Sequence, residues 1–435
     1  KGPAHSANAT YTLELPDATG TAGQIMQTNG SGKLSFVDPS GGGGVLEITA
    51  GETLAQGDAV FYNSSDQVTK LVSTVVSSLS FTSETNSSTS SSWGRPYQLV
   101  YAGNNNFLAL WRHSNNNLKG VVITYDPAAQ TYSYGSHQTF FSGSVRAKRN
   151  AMKAVYNPYS KSVIIVFQDT AYYPRWMIIH VSASGNPNTA FGYAGAANDA
   201  GGAQGCCDVD VDPATGRVAM SYTNVSNMAE LYCFTNASSN TQSGVVAIQQ
   251  LGDVANNGTR ISWDSTNSVF HLISVDGSGA SFIRITYNGS TTSLSSATTI
   301  TGGSGVFGTS FAEDCGGRMR WHTNSGSLMV LVRNSQNNRY TLCITEYDSS
   351  GGTYTNVKQE DLHALLGGNY SSYHDISDLR TPFTNNKLVV NGGPQMNILQ
   401  WDGTNVTNIA SASTTAGYSY FIDYDPDNLA MHILI

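Results

Sequence analysis

Three stretches of the chain gather side chains suited to holding a sugar or an acid. The segment DTAYYPRW places Tyr172, Tyr173, Arg175 and Trp176 close together, and Ser142–Asn150 adds Arg146, Lys148 and Arg149. A third stretch, GGNYSSYHD, adds Tyr370, Tyr373 and His374. Aromatic faces stack on apolar ring faces, and a guanidinium binds carboxylates or phosphates in a forked geometry. Together these residues point to an acidic surface glycan. The competing expectation is that the aromatics fill space between sheets or form an oligomer contact.

Other chemistry is weakly signalled. Asp208, Asp210 and Asp212 in CDVDVDP fall on one face of a strand, where three carboxylates could collect a calcium ion. The favoured expectation is that Asp212 caps a turn while the other two accept from backbone N–H groups, so no metal is assigned. Glycoside hydrolysis needs two carboxylates at a set separation. Glu313, Asp314, Glu346 and Asp423 are available, but none lies in a recognisable motif. The patterns SxDxGxTW, GxSxG, HExxH and the Walker loop are absent. The expectation is therefore no catalysis and no cofactor. Cys206, Cys207, Cys233, Cys315 and Cys343 make an odd set with no CxxC pair, which reads as small buried residues rather than a disulfide framework.

The elements that would carry these residues repeat along the chain. VYNPYSKSVIIVFQD, VDVDPATGRVAMSYT and ISWDSTNSVFHLISV each run an apolar strand into a tight polar turn and then a β-branched strand. Taking Asn104, Asn157, Asp212, Asp264, Asn324, Asn385 and Asp425 as turn markers, the steps are 53, 55, 52, 60, 61 and 40 residues. Most copies are followed by a second hairpin. Four strands per unit at this period describe propeller blades. The spacing predicts an all-β, seven-bladed β-propeller over 76–435, with loops between strands two and three, and between blades, sharing one ligand-bearing face. A β-helix or sandwich is the alternative. The last copy stops after two strands, so outer strands from Asp66–Ser83 are expected to complete a mixed closing blade. DLHALLGGN allows one short helical turn at most.

With 22 Lys and Arg against 30 Asp and Glu, the net charge is −8, which argues against nucleic-acid binding. No run is long and apolar enough to insert in a membrane. The opening at Lys1 rather than Met reads as a fragment or processed product. Residues 1–44 form a β-structured neck ending in the Gly41–Gly44 joint, and 45–75 form a second small β unit leading toward the closing strands. Neither carries enough apolar residues for its own core.

The neck sequence YTLELPDATGTAGQIMQTNGSGKLSFVD resembles a segment of bacteriophage tail fibres and related virion fibres, marine ones especially. AGETLAQGDAV is similar to a small β unit of phage structural proteins, and Lys1-Gly2-Pro3 matches the last triplet of a collagen-like stalk. The resemblance covers residues 9–75 only. It implies a homotrimer joined through the neck, other virion proteins as partners, a place on the virion surface, and a distal head that attaches to a host glycan. Alternatives are a capsid decoration or head fibre, a secreted lectin-like propeller, and a polysaccharide depolymerase.

Overall fold

The computed structural model describes residues 16, 19, 24–28, 33–37, 60–62, 68–70, 93–146, 152–170, 174–185, 187–193, 207–223, 228–238, 241–253, 259–276, 279–296, 298–299, 319–323, 325–334, 339–366, 376–380, 387–392, 395–413, 421–425 and 430–434. Two compact units divide the chain, Lys1–Val75 and Val76–Ile435. In the first, Ile25–Thr28 pairs with Leu34–Val37, and Val60–Tyr62 pairs with Val68–Lys70, both antiparallel.

The second unit is built from consecutive antiparallel sheets. Sheet one runs Trp93–Gly103, Asn106–His113, Leu118–Asp126 and a fourth strand in two pieces, Thr131–Tyr134 and Gln138–Phe141. Sheet two is Met152–Asn157, Ser162–Gln168, Pro174–Val181 and Pro187–Tyr193. Sheet three is Cys207–Val211, Arg217–Thr223, Met228–Ser238 and Thr241–Asp253. Sheet four is Thr259–Asp264, Val269–Asp276, Gly279–Tyr287 and a divided fourth strand, Thr292–Leu294 and Thr298–Thr299. Sheet five is Met319–His322, Ser327–Asn334, Arg339–Asp348 and Thr353–Asp361, and sheet six is Ile376–Arg380, Lys387–Gly392, Gln395–Trp401 and Val406–Ser413. Sheet seven has two strands among the described residues, Phe421–Asp425 and Ala430–Leu434. The one helical turn among the described residues, Leu362–Leu365, starts where Asp361 accepts from the His363 N–H at 2.9 Å.

Four-stranded sheets in chain order, each packed on the next, are the construction of propeller blades. The sheets stay separate hydrogen-bonded units, but their first strands touch in sequence from one to seven, and the first strand of seven touches that of one. Sheets two to five are buried on both faces. In SVIIVFQ (Ser162–Gln168), Val163, Ile165 and Phe167 pack with sheet one, while Ile164 and Val166 pack with sheet three. This is the period-2 alternation of a strand with apolar neighbours on either side.

The tight turns are held by Asx side chains. Asp212 accepts from the Ala214 N–H at 3.0 Å and from Thr215 Oγ1, and Asp264 accepts from the Thr266 N–H at 2.8 Å. Gly216 closes the Asp212 turn at φ +72° against sheet three's own third strand, and an added Cβ would lie 2.4 Å from the Asn236 carbonyl oxygen. Asn236 cannot give way easily. Its carboxamide oxygen accepts from Asn157 Nδ2 at 3.0 Å and from Ser162 Oγ at 2.7 Å, fastening sheet two to sheet three. Gly216→Ala is expected to cost roughly 2 kcal/mol, read as a shift in the urea midpoint at constant m-value.

One expectation needs correction. Within the segment assigned to the closing strands, Val68–Lys70 pairs instead with Val60–Tyr62, the complementary strand just upstream in sequence. Residues 71–83 lie outside the described residues.

Candidate functional site

The residues singled out from sequence divide into three groups. Tyr172, Tyr173, Lys148, Arg149, Tyr370, Tyr373 and His374 lie outside the described residues, as do Glu313 and Asp314. Arg146 and Arg175 are brought together, around the end of sheet two's second strand. A bridge pairs Val145 with Asp169, so the connection between sheets does run beside the strand two–three loop. There Arg146 donates to the Gln168 side chain at 2.9 Å, and Arg175 donates Nε and Nη2 to Asp169 Oδ2 at 3.0 and 2.7 Å. Arg112 approaches the same loop and donates to the Val145 carbonyl at 2.8 Å. These guanidiniums brace the loop. Trp176 turns the other way. It is 5 % exposed and its ring stacks on Phe234 at 5.1 Å, so it packs sheet two on sheet three and offers no face to a sugar.

The acidic strand acts as a seam. Asp208 Oδ2 accepts from the Ile261 N–H at 3.2 Å and Asp210 Oδ2 from the Trp263 N–H at 2.8 Å, joining sheet three to sheet four. Ser262 Oγ accepts from the Trp321 N–H at 2.8 Å one seam further on. Asp423 Oδ2, in sheet seven, accepts from the Tyr101 N–H of sheet one at 2.6 Å. Burial pushes the Asp210 carboxyl up, against the opposing charge of Arg320. Oxygens engaged with backbone N–H groups in this way make no cage for a cation. Cys207, Cys233 and Cys343 are buried, as expected, and desolvation raises Cys233 to about 12, while Cys206 and Cys315 lie outside the described residues.

Sequence reasoning missed a buried Asp–His–Tyr chain between sheets four and five. His271 Nε2 lies 3.0 Å from Asp264 Oδ2, and Nδ1 lies 2.7 Å from the Tyr354 hydroxyl. Trp321 stacks on the imidazole at 5.7 Å. His271 and Asp264 are fully enclosed, so the chain has the residue types of a catalytic relay without a path for substrate. The visible signal was the seven-residue spacing of Asp264 and His271 across one hairpin.

The open site lies elsewhere, in a cleft of about 320 Å³ between sheets one and two. It forms where the fourth strand of sheet one breaks. Thr131–Tyr134 pairs with the far half of the third strand and Gln138–Phe141 with the near half, leaving residues 135–137 between them. Ser133, Tyr134, Gly135, Ser136 and Gln138 form one wall, and Ser184, Gly185 and Pro187 from sheet two's outer turn form the other. Gly185, at φ +78°, lets that turn fold back over the opening. The floor is organised by buried Asn106, which accepts from Thr124 Oγ1 at 2.7 Å and donates to the Ser182 carbonyl at 3.5 Å. Ser182 in turn contacts Ser184 at 2.9 Å. Tyr134 is 39 % exposed at the rim, and partial burial raises its phenol. Hydroxyls and an amide that both donate and accept, beside an accessible aromatic ring, suit a polyhydroxylated ligand.

No protein-family model and no curated protein sequence matches the chain. Solved structures do resemble it. A protein from Lactobacillus plantarum superposes with a TM-score of 0.51 at 10 % identity, covering 89 % of this chain and 98 % of its own. The BP39L lectin from Burkholderia pseudomallei gives a TM-score of 0.51 at 10 % identity, over 78 % of this chain and 96 % of the lectin. At this identity the likeness is one of fold: this chain shares the all-β, propeller-like architecture of these structures.

Proposed function

We propose that the chain is a non-catalytic, carbohydrate-binding propeller. The observation that carries this reading is the hydroxyl-lined cleft between sheets one and two, rimmed by Tyr134. The shared fold with a lectin is in keeping with it. None of the residues lining the cleft is a carboxylate, and of the acids considered for hydrolysis Asp423 is engaged in a seam while Glu346 is exposed on a strand of sheet five. We take the ring to have seven blades. The contact between the first strands of sheets seven and one, and the Asp423–Tyr101 bond, support closure there. In this reading, outer strands from residues 71–83 complete the closing blade.

The resemblance of residues 9–75 to virion-fibre segments supports a particular setting. The head sits on a trimeric neck at a virion surface and attaches to host glycans, with three weak sites acting together at high effective concentration. A secreted lectin-like propeller shares the binding chemistry but not the neck. Binding of the full chain to intact candidate host cells, before and after periodate oxidation of their sugars, tests the main reading. Periodate-sensitive binding is expected, and binding unchanged by periodate would overturn it. Light scattering tests the neck: a threefold mass is expected, and a monomer would remove the fibre setting.

A further inference from the structure

The divided fourth strand occurs twice, at the same register. In sheet one, Ile123 pairs with Tyr134, the Gly135 N–H bonds the Val122 carbonyl at 2.9 Å, and Gly120 pairs with Gln138. In sheet four, Ile285 pairs with Leu294, the Ser295 N–H bonds the Arg284 carbonyl at 2.9 Å, and Phe282 pairs with Thr298. Val122 thus corresponds to Arg284, Gly135 to Ser295 and Gly120 to Phe282.

The two breaks have opposite contents. In sheet four, Phe282 is fully buried and stacks on Tyr354 of sheet five at 4.5 Å, and Arg284 donates to Tyr347 at 3.0 Å. Aromatic rings fill the space. In sheet one the corresponding position is Gly120, whose added Cβ would lie 2.7 Å from the Ala109 carbonyl oxygen and 2.6 Å from Phe140. Phe140 and the Ala109 carbonyl take up the space a side chain would need there, so no ring from position 120 reaches the break, and Gly120 and Phe140 both line the cleft. A break alone does not make the cleft. Gly120 and Gly135 line it on one side, and the turn at Gly185 supplies the opposite wall.

The lining also carries no formal charge. Thr124, Ser133, Ser136, Ser184, Gln138 and Tyr134 are its polar side chains, and no Lys, Arg or His is among the lining residues. A carboxylate or sulfate entering such a space loses its hydration with no cation to replace it. A sugar hydroxyl both donates and accepts, as do the Ser, Thr and Gln groups that would meet it. The cleft's volume is at the small end of the range for ligand sites, enough for one or two rings.

We propose that this cleft takes a neutral pyranose unit, with its apolar face toward Tyr134 and its hydroxyls toward the Gly135–Gln138 break. The inference rests on the carbohydrate-binding reading and departs from the acidic glycan that the arginine-rich loops suggest.

The test uses the full chain against an array of neutral, uronate-bearing, sialylated and sulfated oligosaccharides, followed by calorimetric titration of the best neutral ligand. Gly135→Leu fills the break at a position where a Cβ meets only the Val122 carbonyl at 3.4 Å and the Val122 Cβ at 4.0 Å. It is expected to weaken neutral-sugar binding by roughly tenfold or more while the melting temperature holds. Gln138→Ala, at an exposed position, is expected to weaken it by about three- to tenfold and serves if Gly135→Leu fails to fold. Binding to acidic glycans alone would overturn the neutral-sugar assignment and leave carbohydrate binding intact. Neutral binding untouched by both substitutions would place the site outside the cleft and also overturn it. Silence across every glycan class would remove the carbohydrate reading itself.

Discussion

Replacing His271 with alanine is expected to lower the unfolding free energy by about 3 kcal/mol, measured by urea titration at pH 7.5. The side chain is fully enclosed and links Asp264 of one sheet to Tyr354 of the next. Its removal takes a donor from a buried carboxylate, an acceptor from a buried phenol, and a stacking partner from Trp321. The geometry suits the neutral imidazole, with Nε2–H donating to Asp264 and Nδ1 accepting from Tyr354. Burial holds the pKa of His271 below its ordinary 6.5, and Arg284 adds to this, while Asp264 pulls it upward. The unfolded chain therefore takes up the proton at a higher pH than the folded one. Stability from this group is present above about pH 6.5 and is lost as pH falls through the lower folded pKa. The groups facing the ring are Asp264, Arg284, Trp321, Tyr347 and Tyr354, and only the first two carry charge. Burial also pushes Asp264 upward, but hydrogen bonds from His271 and Asn267 more than offset this, so it stays ionised through that window. Wild type is expected to lose stability between pH 7 and 5, and His271→Ala to lose less over the same interval. Equal slopes for the two proteins would show that His271 is not the titrating group.

Deleting residues 421–435 is expected to have the larger effect, abolishing a soluble head. The terminal hairpin touches the first strand of sheet one. The face of sheet one turned away from sheet two carries Leu99, Tyr101, Phe107, Trp111, Val121 and Ile123. Returning even three such side chains to water costs roughly 5–9 kcal/mol, comparable with the whole stability of a domain. It also leaves an apolar sheet face open to aggregation. Size-exclusion chromatography of the truncated chain would show aggregate in place of the full chain's peak. Asp423→Ala tests the single bond within this contact, and about 1–2 kcal/mol is expected from leaving the Tyr101 N–H without its acceptor. A truncated chain that stays soluble with an unchanged melting temperature would mean that sheet one needs no cover on that side.

Much of the architecture was legible because turn chemistry and strand alternation are local. Asp212 and Asp264 cap the turns at which they were placed, and the second hairpins of sheets two to five follow as read. Asp-Val-Asp at 210–212, Ser-Trp-Asp at 262–264 and Asp-Tyr-Asp at 423–425 share a further pattern. An acceptor sits two residues ahead of the turn residue and meets an N–H of the adjoining sheet. That pattern was visible, although its partners, 53, 59 and 322 residues away, were not. Trp176 shows the opposite failure. In PRWMIIHV it shares a face with Ile178, and a strand covered on both sides turns both faces inward, so its ring was packing from the start. The cleft had no local signal at all. It depends on Gly120, Gly135 and Gly185, which are unremarkable among 44 glycines until the topology brings them together.

The seam bonds described between first strands run one way. From sheet three to four, from four to five and from seven to one, the earlier first strand supplies the side-chain acceptor and the next supplies the backbone donor. The bond that joins the two ends of the head is chemically the same as those formed within the chain. Nothing in the bonding marks sheet one as the beginning. A circular permutant, with the old ends linked by a short polar peptide and new ends cut between sheets three and four, would meet the same set of contacts in a different order of synthesis.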